Sequence, residues 1–273
     1  MNQHSFTADD LAAYERDGYV IKSGFFSEEE VGLLYDTATN DDVMSKRSYD
    51  LNDQKGFKTK LALWYTPGDD VYGNYTRCAR MYDAVEMILG GAPAHYHSKL
   101  MQKEPRVGGA WEWHQDYGYW YRNGFLYPQM LSVMVALTEA NKANGCIQVI
   151  KGSHKMERIE HGTAGEQVGA NQQRVDEALK RMELVYVEIQ PGDTLFFHCN
   201  LLHRSEMNTS DRARWSLISA YNLASNKSFL DEPASSYTPL ERLPDSAIVD
   251  AGARGIAETA DFLSKATDKS LVE

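Results

Sequence analysis

The chain has 273 residues, 42% hydrophobic and 25% charged, which is enough apolar material to bury one sizeable core. Its formal net charge of −11 and pI near 5.2 exclude the basic footprint that nucleic acid or another polyanionic partner requires. Cys78, Cys146 and Cys199 are odd in number and form no C-x-x-C pair, no apolar run approaches the ~20 residues of a membrane span, and no basic and then apolar leader is present, so the expectation is a cytoplasmic protein with reduced thiols, no membrane association and no obligate protein partner.

Residues 7–17 open with Thr7 as a cap and Asp9 and Asp10 in the first turn, then set Leu11 and Tyr14 on one side of a short amphipathic helix that Gly18 ends. Residues 19–22 follow as a strand, and Ser27-Glu28-Glu29-Glu30 makes a capping box for a second helix with Val31, Leu34 and Tyr35 inward. Both helices are expected to buttress the domain from outside. Residues 40–60 carry Lys46, Arg47, Lys55, Lys58 and Lys60 with little periodicity and read as a solvated charged loop; the functional alternative is that Lys58 or Lys60 reaches an acid at the mouth of a barrel. Residues 79–89 place Met81, Val85, Ile88 and Leu89 at helical spacing before Gly90-Gly91 and Pro93. On the strand at 95–102, His95 and His97 share a face but have no carboxylate at ligand spacing, so they read as satisfied polar residues.

The run WEWHQDYGYWY at 111–121 sets His114 and Asp116 two residues apart, on one face if the run is a strand. An H-x-D pair alone is common by chance, and its meaning depends on a distant third ligand. Tyr117, Tyr119, Trp120 and Tyr121 follow, either facing a substrate ammonium or packing the barrel wall. After the turn at Arg122-Asn123-Gly124, residues 130–137 form a buried strand, Asn144-Gly145 signals a hairpin with 146–150 returning, and Gly152-Ser153-His154 closes a tight turn. Residues 155–183, with Gly162, Gly165, Gly169 and a helix at about 171–182, are the longest insertion and should cover the site.

Pro191-Gly192-Asp193 turns into a short buried strand at 194–198, and 214–221 is another with Arg214, Ser216, Ile218 and Ala220 on one face. His203 between them completes, with His114 and Asp116, the two-His, one-carboxylate set that holds non-haem Fe(II) and leaves its other positions open. His198, inside the apolar strand, is the weaker ligand. Arg214, eleven residues after His203 and followed by Ser216, suits a bidentate pair with a buried carboxylate such as the distal one of 2-oxoglutarate. Beyond residue 224, Pro233, Pro239 and Pro244 mark irregular structure, and 255–265 reads as a final helix.

Taken together, His114-Gln115-Asp116, Asn144-Gly145-Cys146 with the following IQVIKGSHK, and His203-Arg204-Ser205 with Asn208 and Arg214 resemble the phytanoyl-CoA dioxygenase family. The likeness extends to GYVIKSGFFSEEEV and covers roughly residues 7–225. It implies a mainly β fold with flanking helices (α+β), a double-stranded β-helix of the jelly-roll or cupin-like kind. The barrel core would span about 94–225 of a single domain 1–273, with helices in 7–39 and an irregular or helical extension at 226–273. It also implies Fe(II) on His114, Asp116 and His203, with 2-oxoglutarate as co-substrate, O2 as oxidant and ascorbate as a stimulant. Arg214, Ser205 and Ser216 would hold the distal carboxylate; Lys99, where Met is more usual, and Met134, where Trp is common, would lie beside the co-substrate. His154 belongs to the family pattern and is expected to be structural, at the barrel rim.

The reaction so implied converts 2-oxoglutarate to succinate and CO2 while hydroxylating an aliphatic C–H of a small polar substrate, cationic or zwitterionic. Asp116 favours hydroxylation, because chlorinating relatives lack this carboxylate. An acyl-CoA hydroxylase of the phytanoyl-CoA type is one alternative, although CoA phosphates want a basic rim that this acidic chain lacks. A non-redox jelly-roll isomerase and a binding protein without turnover are the others.

Overall fold

The computed structural model describes residues 5–42, 46–164, 166–257 and 260–264. Both N-terminal helices begin where the chain supplies a reciprocal cap. Thr7 Oγ1 accepts from the Asp10 N–H while Asp10 accepts from the Thr7 N–H ahead of α1 (Ala8–Asp17), and Ser27 and Glu30 repeat the exchange ahead of α2 (Glu28–Asn40). Gly18 stops α1 at φ +83°, a left-handed conformation that costs glycine little.

The larger antiparallel sheet contains β1 (Tyr19–Lys22), β2 (Tyr49–Asn52), β3 (Lys58–Trp64), β4 (Pro93–Lys103), β6 (Met130–Ala136), β11 (Thr194–His198) and β13 (Arg214–Leu223), after β5 (Trp111–His114) has left for the second sheet. Its order is β1-β11-β6-β13-β4-β3-β2, with β14 (Thr238–Pro239) added beside β4. The smaller sheet runs β10 (Leu184–Tyr186), β7 (Ile147–Ile150), β12 (His203–Ser205), β5. A two-stranded hairpin, β8 (His161–Ala164) with β9 (Gln167–Ala170), stands apart.

Alternation along the central strands builds two cores. Leu131, Val133 and Val135 of β6 and Leu217 and Tyr221 of β13 face the helices, where they meet Leu34, Tyr72, Tyr75, Met81 and Val85. The opposite faces turn inward, so that Met101, Met134, Phe197 and Ile218 pack against Ile147 and Val149 of the smaller sheet. Two antiparallel sheets closing on one core, with helices on the outer face, make the expected mainly β jelly-roll. Among the described residues, no helix is long and apolar enough to cross a membrane.

Four expectations need correction. Residues 40–60 are not a loop throughout: β2 and β3 pair as a hairpin, and the lysines that hid the alternation are its outward set, with Lys58 paired to Asp50 and Lys60 to Glu104 rather than to an acid in the barrel. The turn at Asn144-Gly145 forms, but β7 crosses to the smaller sheet instead of returning on β6, because its apolar residues fill the inter-sheet core. The helix of the long insertion is shorter, Gln172–Leu179 with Asn171 as its cap, and is preceded by the β8–β9 hairpin. The final helix is Ala247–Ala251, whereas Phe262 forms an isolated bridge with Trp64; Gly165, residues 258–259 and Lys265 lie outside the described residues.

Candidate active site

The two histidines of the candidate metal set are direct cross-strand partners, His203 of β12 opposite His114 of β5. Their rings lie 4.0 Å apart between centroids. Each points Nδ1 at a backbone carbonyl two residues earlier, His114 to Glu112 at 2.7 Å and His203 to Leu201 at 2.9 Å, so Nδ1 carries the proton and Nε2 keeps its lone pair free for a metal in both. Asp116 is not on the strand. The strand ends at His114 and Asp116 is the first residue of a short helix, Asp116–Trp120, so the i, i+2 strand parity does not explain the convergence. The helix start turns the carboxylate back: Oδ1 lies 3.7 Å from His114 Nε2 and 3.8 Å from His203 Nε2, while Oδ2 accepts the Ser132 hydroxyl at 2.6 Å. The three ligand atoms lie within 4.8 Å of one another, within reach of a single ion. Burial lowers the pKa of both imidazoles, well below the usual range for His114, which keeps them in the neutral form a metal needs.

The ligand loop is held from behind by residues no motif announced. Gln115 donates to the carbonyls of Glu157 and Asn200 at 2.7 and 2.8 Å and accepts from Ile159, and its N–H donates to His161 Nε2 at 2.9 Å. A Cβ at Gly118 would strike the His161 ring, so the helix approaches this imidazole closely only as glycine. The long insertion therefore supports the ligand turn, with Tyr119 donating to Val168 of β9 at 2.7 Å and Gln167 reaching the cavity wall.

The predicted co-substrate residues divide. Arg214 is 3% exposed and forms no ion pair among the described residues; it donates one bond to the Gly145 carbonyl and leaves Nε without a partner. Burial lowers its pKa to about 10, still a cation at neutral pH. Ser216 Oγ is likewise buried and unpartnered. A fixed buried guanidinium beside an orphan hydroxyl fits an incoming carboxylate. Ser205, Arg214 and Lys99 line one narrow cleft with His203, and Lys99 also faces the larger cavity, its Nζ 5.7 Å from the Trp111 ring centroid. Met134 lines neither; it is packed between Leu195 and Ile218 in the inter-sheet core.

The larger cavity, about 920 Å3, reaches His114 and Asp116. Its walls include Tyr49 and Leu51 of β2, Leu61 and Leu63 of β3, and Glu232, Asp261 and Phe262 of the C-terminal extension. No motif marks these walls: β2 and the start of β3 lie in the stretch 40–60 that reads as loop, and the extension reads as irregular apart from its final helix. Of the aromatic run, Tyr119 and Trp120 face the cavity, whereas Tyr117 is tied to the Phe125 carbonyl and Tyr121 stacks with Arg158.

Four other histidines are placed as follows. His198 accepts the Asn200 N–H at Nδ1 and sits beside Tyr14 and His154, away from the ligand set, and His154 contacts the Glu15 carbonyl as a rim residue. His95 is satisfied by the Tyr65 carbonyl and Ser98 Oγ. His97 is not: its imidazole has no hydrogen bond to any described residue and lies among the rings of Tyr65, Tyr96 and Trp120 on the cavity wall, correcting its reading as a satisfied polar residue.

The family model of phytanoyl-CoA dioxygenase (PhyH) matches residues 14–216. An ectoine dioxygenase of Bordetella parapertussis is 26% identical over 243 residues, 81% of this chain and 77% of the relative. L-Proline trans-4-hydroxylase of Streptomyces griseoviridis is 26% identical over 174 residues, 58% of this chain and 65% of the relative. Among solved structures, EctD from S. alaskensis with bound Fe superposes with a TM-score of 0.71 at 24% identity, covering 89% of this chain and 90% of that one. The epimerase SnoN in complex with Fe3+, alpha ketoglutarate and nogalamycin RO superposes with a TM-score of 0.70 at 20% identity, covering 94% and 98%.

Proposed function

Because the chain belongs to the phytanoyl-CoA dioxygenase family and is a non-haem Fe(II)- and 2-oxoglutarate-dependent dioxygenase, we propose that His114, Asp116 and His203 hold the iron, that Arg214 with Ser205, Ser216 and Lys99 binds 2-oxoglutarate, and that the whole chain acts as one domain hydroxylating an aliphatic C–H of a small zwitterionic substrate. The observation that carries the residue assignment is the buried Arg214 cation, which pairs with no carboxylate among the described residues and lines the same cleft as His203.

Iron at this site supplies the coupling of O2 reduction and 2-oxoglutarate decarboxylation to C–H oxidation, one substrate C–H becoming C–OH as succinate and CO2 are released. The chain's own residues do the positioning. Ser132 orients Asp116, the Glu112 and Leu201 carbonyls orient the imidazoles, and the Gln115 contacts brace the turn between the ligands. Trp111, Phe197 and Ile218 wall the co-substrate cleft with apolar surface, which strengthens a charge pair to Arg214.

The substrate class rests on the cavity. Among the described residues that line it, Lys99 is the only Lys or Arg, which disfavours the several phosphate charges of a CoA thioester, while Glu232 and Asp261 at the extension and the rings of Tyr65, Tyr119 and Trp120 suit an ammonium. The relatives named for ectoine and L-proline point the same way. At about 920 Å3 the cavity is near the upper end for small-molecule sites, so ring-bearing or acylated amino acids fall within the class. The test is succinate formation with Fe(II), 2-oxoglutarate, O2 and ascorbate, with and without ectoine, L-proline, N-benzoyl-L-proline and acyl-CoA thioesters. Stimulation by the thioesters alone would reverse the substrate assignment.

A further inference from the structure

We infer that His97 is a substrate-recognition residue, whose otherwise unpaired imidazole hydrogen-bonds an oxygen of the substrate, a carboxylate or hydroxyl, on the side of the metal set away from Arg214. The inference rests on the dioxygenase reading above and deepens it by naming the group that the cavity reads.

The register of β4 on β13 orders the barrel floor. Lys103 lies opposite Arg214, Met101 opposite Ser216, Lys99 opposite Ile218 and His97 opposite Ala220. These residues alternate onto one face, so Arg214 and His97 mark its two ends, three such steps apart. Six residues at ~3.3 Å each separate those ends by about 20 Å along the strand, whereas the five-carbon chain of 2-oxoglutarate spans only a few bond lengths. A co-substrate anchored at Arg214 therefore stops short of His97, and the molecule that meets His97 is the substrate.

The side chain is built for such a contact. It is only 7% exposed, and what exposure it has is to the cavity. Tyr96, Tyr65 and Trp120 hold its ring at centroid distances of 4.7, 6.3 and 6.0 Å and fix its plane without engaging either nitrogen. Tyr96 is itself committed elsewhere, donating to the Ala234 carbonyl and accepting from Asn123. Ala220 opposite is buried in the cluster of Tyr96 and Trp120 and offers the imidazole no polar side-chain atom. Neither nitrogen is sealed in the core; both open onto the cavity, so a substrate that fills it without offering a matching polar atom leaves them unpaired, which gives a hydrogen-bonding site its selectivity. Lys99 and His114 line both this cavity and the co-substrate cleft, whereas His97 lines the larger cavity and not the cleft.

His97→Phe keeps the ring packing and removes both hydrogen-bonding atoms; His97→Gln restores a donor and an acceptor without the ring. The probes are ectoine, L-proline, L-pipecolate and N-benzoyl-L-proline, with pyrrolidine and piperidine as amines lacking oxygen. The expected result is that the oxygen-bearing probes stimulate succinate release by the unmodified enzyme and the plain amines do not. For the best probe, His97→Phe then raises KM at least tenfold, by more than kcat falls, and His97→Gln recovers most of the loss, while anaerobic titration shows both variants still binding Fe(II) and 2-oxoglutarate. An unchanged KM in His97→Phe, loss of Fe(II) and 2-oxoglutarate binding in both variants, or equal stimulation by the plain amines overturns the assignment, as does an unmodified enzyme that forms succinate but responds to no probe. Absence of succinate under every condition instead overturns the dioxygenase reading beneath it.

Discussion

Ser132 donates its hydroxyl to Oδ2 of Asp116 at 2.6 Å, and that bond leaves Oδ1 as the oxygen facing His114 and His203. Both groups are buried, and Asp116 meets the larger cavity with what little surface it exposes. Ser132→Ala is expected to weaken Fe(II) binding by about 10- to 100-fold, as losses of such orienting contacts do. Metal titration monitored by calorimetry checks it; an unchanged affinity would show that the helix start alone orients Asp116.

The ligand assignment separates four histidine and aspartate variants. His114→Ala, Asp116→Ala and His203→Ala should each abolish turnover and iron binding with the fold retained by circular dichroism. His198→Ala should keep iron affinity, since its Nδ1 is occupied by the Asn200 N–H. Loss of iron from His198→Ala with retention in His203→Ala would be incompatible with the geometry.

Arg214 and Arg212 can be distinguished in the same way. Arg212 is exposed, its carbonyl tied to Asn208, whereas Arg214 is buried beside orphan Ser216. Arg214→Ala should cost about 2 to 5 kcal/mol of co-substrate binding and so raise the apparent 2-oxoglutarate constant at least tenfold. Arg212→Ala should leave it within a factor of about two, a difference below ~0.5 kcal/mol. Steady-state titration of 2-oxoglutarate reads both.

Gly118→Ala tests the support beneath the ligand turn. The added methyl meets the His161 ring, and His161 Nε2 holds the Gln115 N–H, so the displacement passes to the residue between the two ligands. Metal affinity should fall more than the melting temperature does. A variant with native affinity would mean that the ring yields without moving Gln115.

Burial holds His95 and His198 near pKa 4, and each has a ring nitrogen in contact with a neighbouring group, Ser98 Oγ and the Asn200 N–H respectively. Their folded values lie below the ordinary ~6.5, so the unfolded chain takes up protons first as pH falls. Their contribution is fully present above about pH 6.5 and is lost as pH drops towards 4, with at most about 3 kcal/mol per imidazole at stake. Denaturant titrations of the metal-free protein at pH 7.5 and 4.5 should show this loss, and His198→Asn should make it smaller.

Much of the scaffold was legible because its signals are local. The caps at Thr7 and Ser27, the stop at Gly90 and the apolar strands at 130–137 and 194–198 depend on neighbours a few residues away, and each forms as read. The hairpin at β2–β3 was missed because lysines on its outward face masked the inward Leu51, Leu61 and Leu63, which only matter once there is a cavity for them to line. His97 was misread for a related reason: whether a buried imidazole is satisfied depends on atoms from Tyr65, just after β3, and from the Asp116–Trp120 helix, and these the strand's own sequence does not contain.

The chain by itself determined the donor chemistry: two histidines, one aspartate and one following arginine, in an acidic sequence without a basic surface. Those choices depend on residue identity and spacing, which are written along the chain. Tertiary structure decided the rest, because it required atoms distant in sequence to meet. Pairing of β5 with β12 brought His114 to His203, the turn into a helix aimed Asp116 where strand parity could not, β6 supplied Ser132 to fix its oxygen, and the pairing of β4 with β13 placed Arg214 and His97 at opposite ends of one floor.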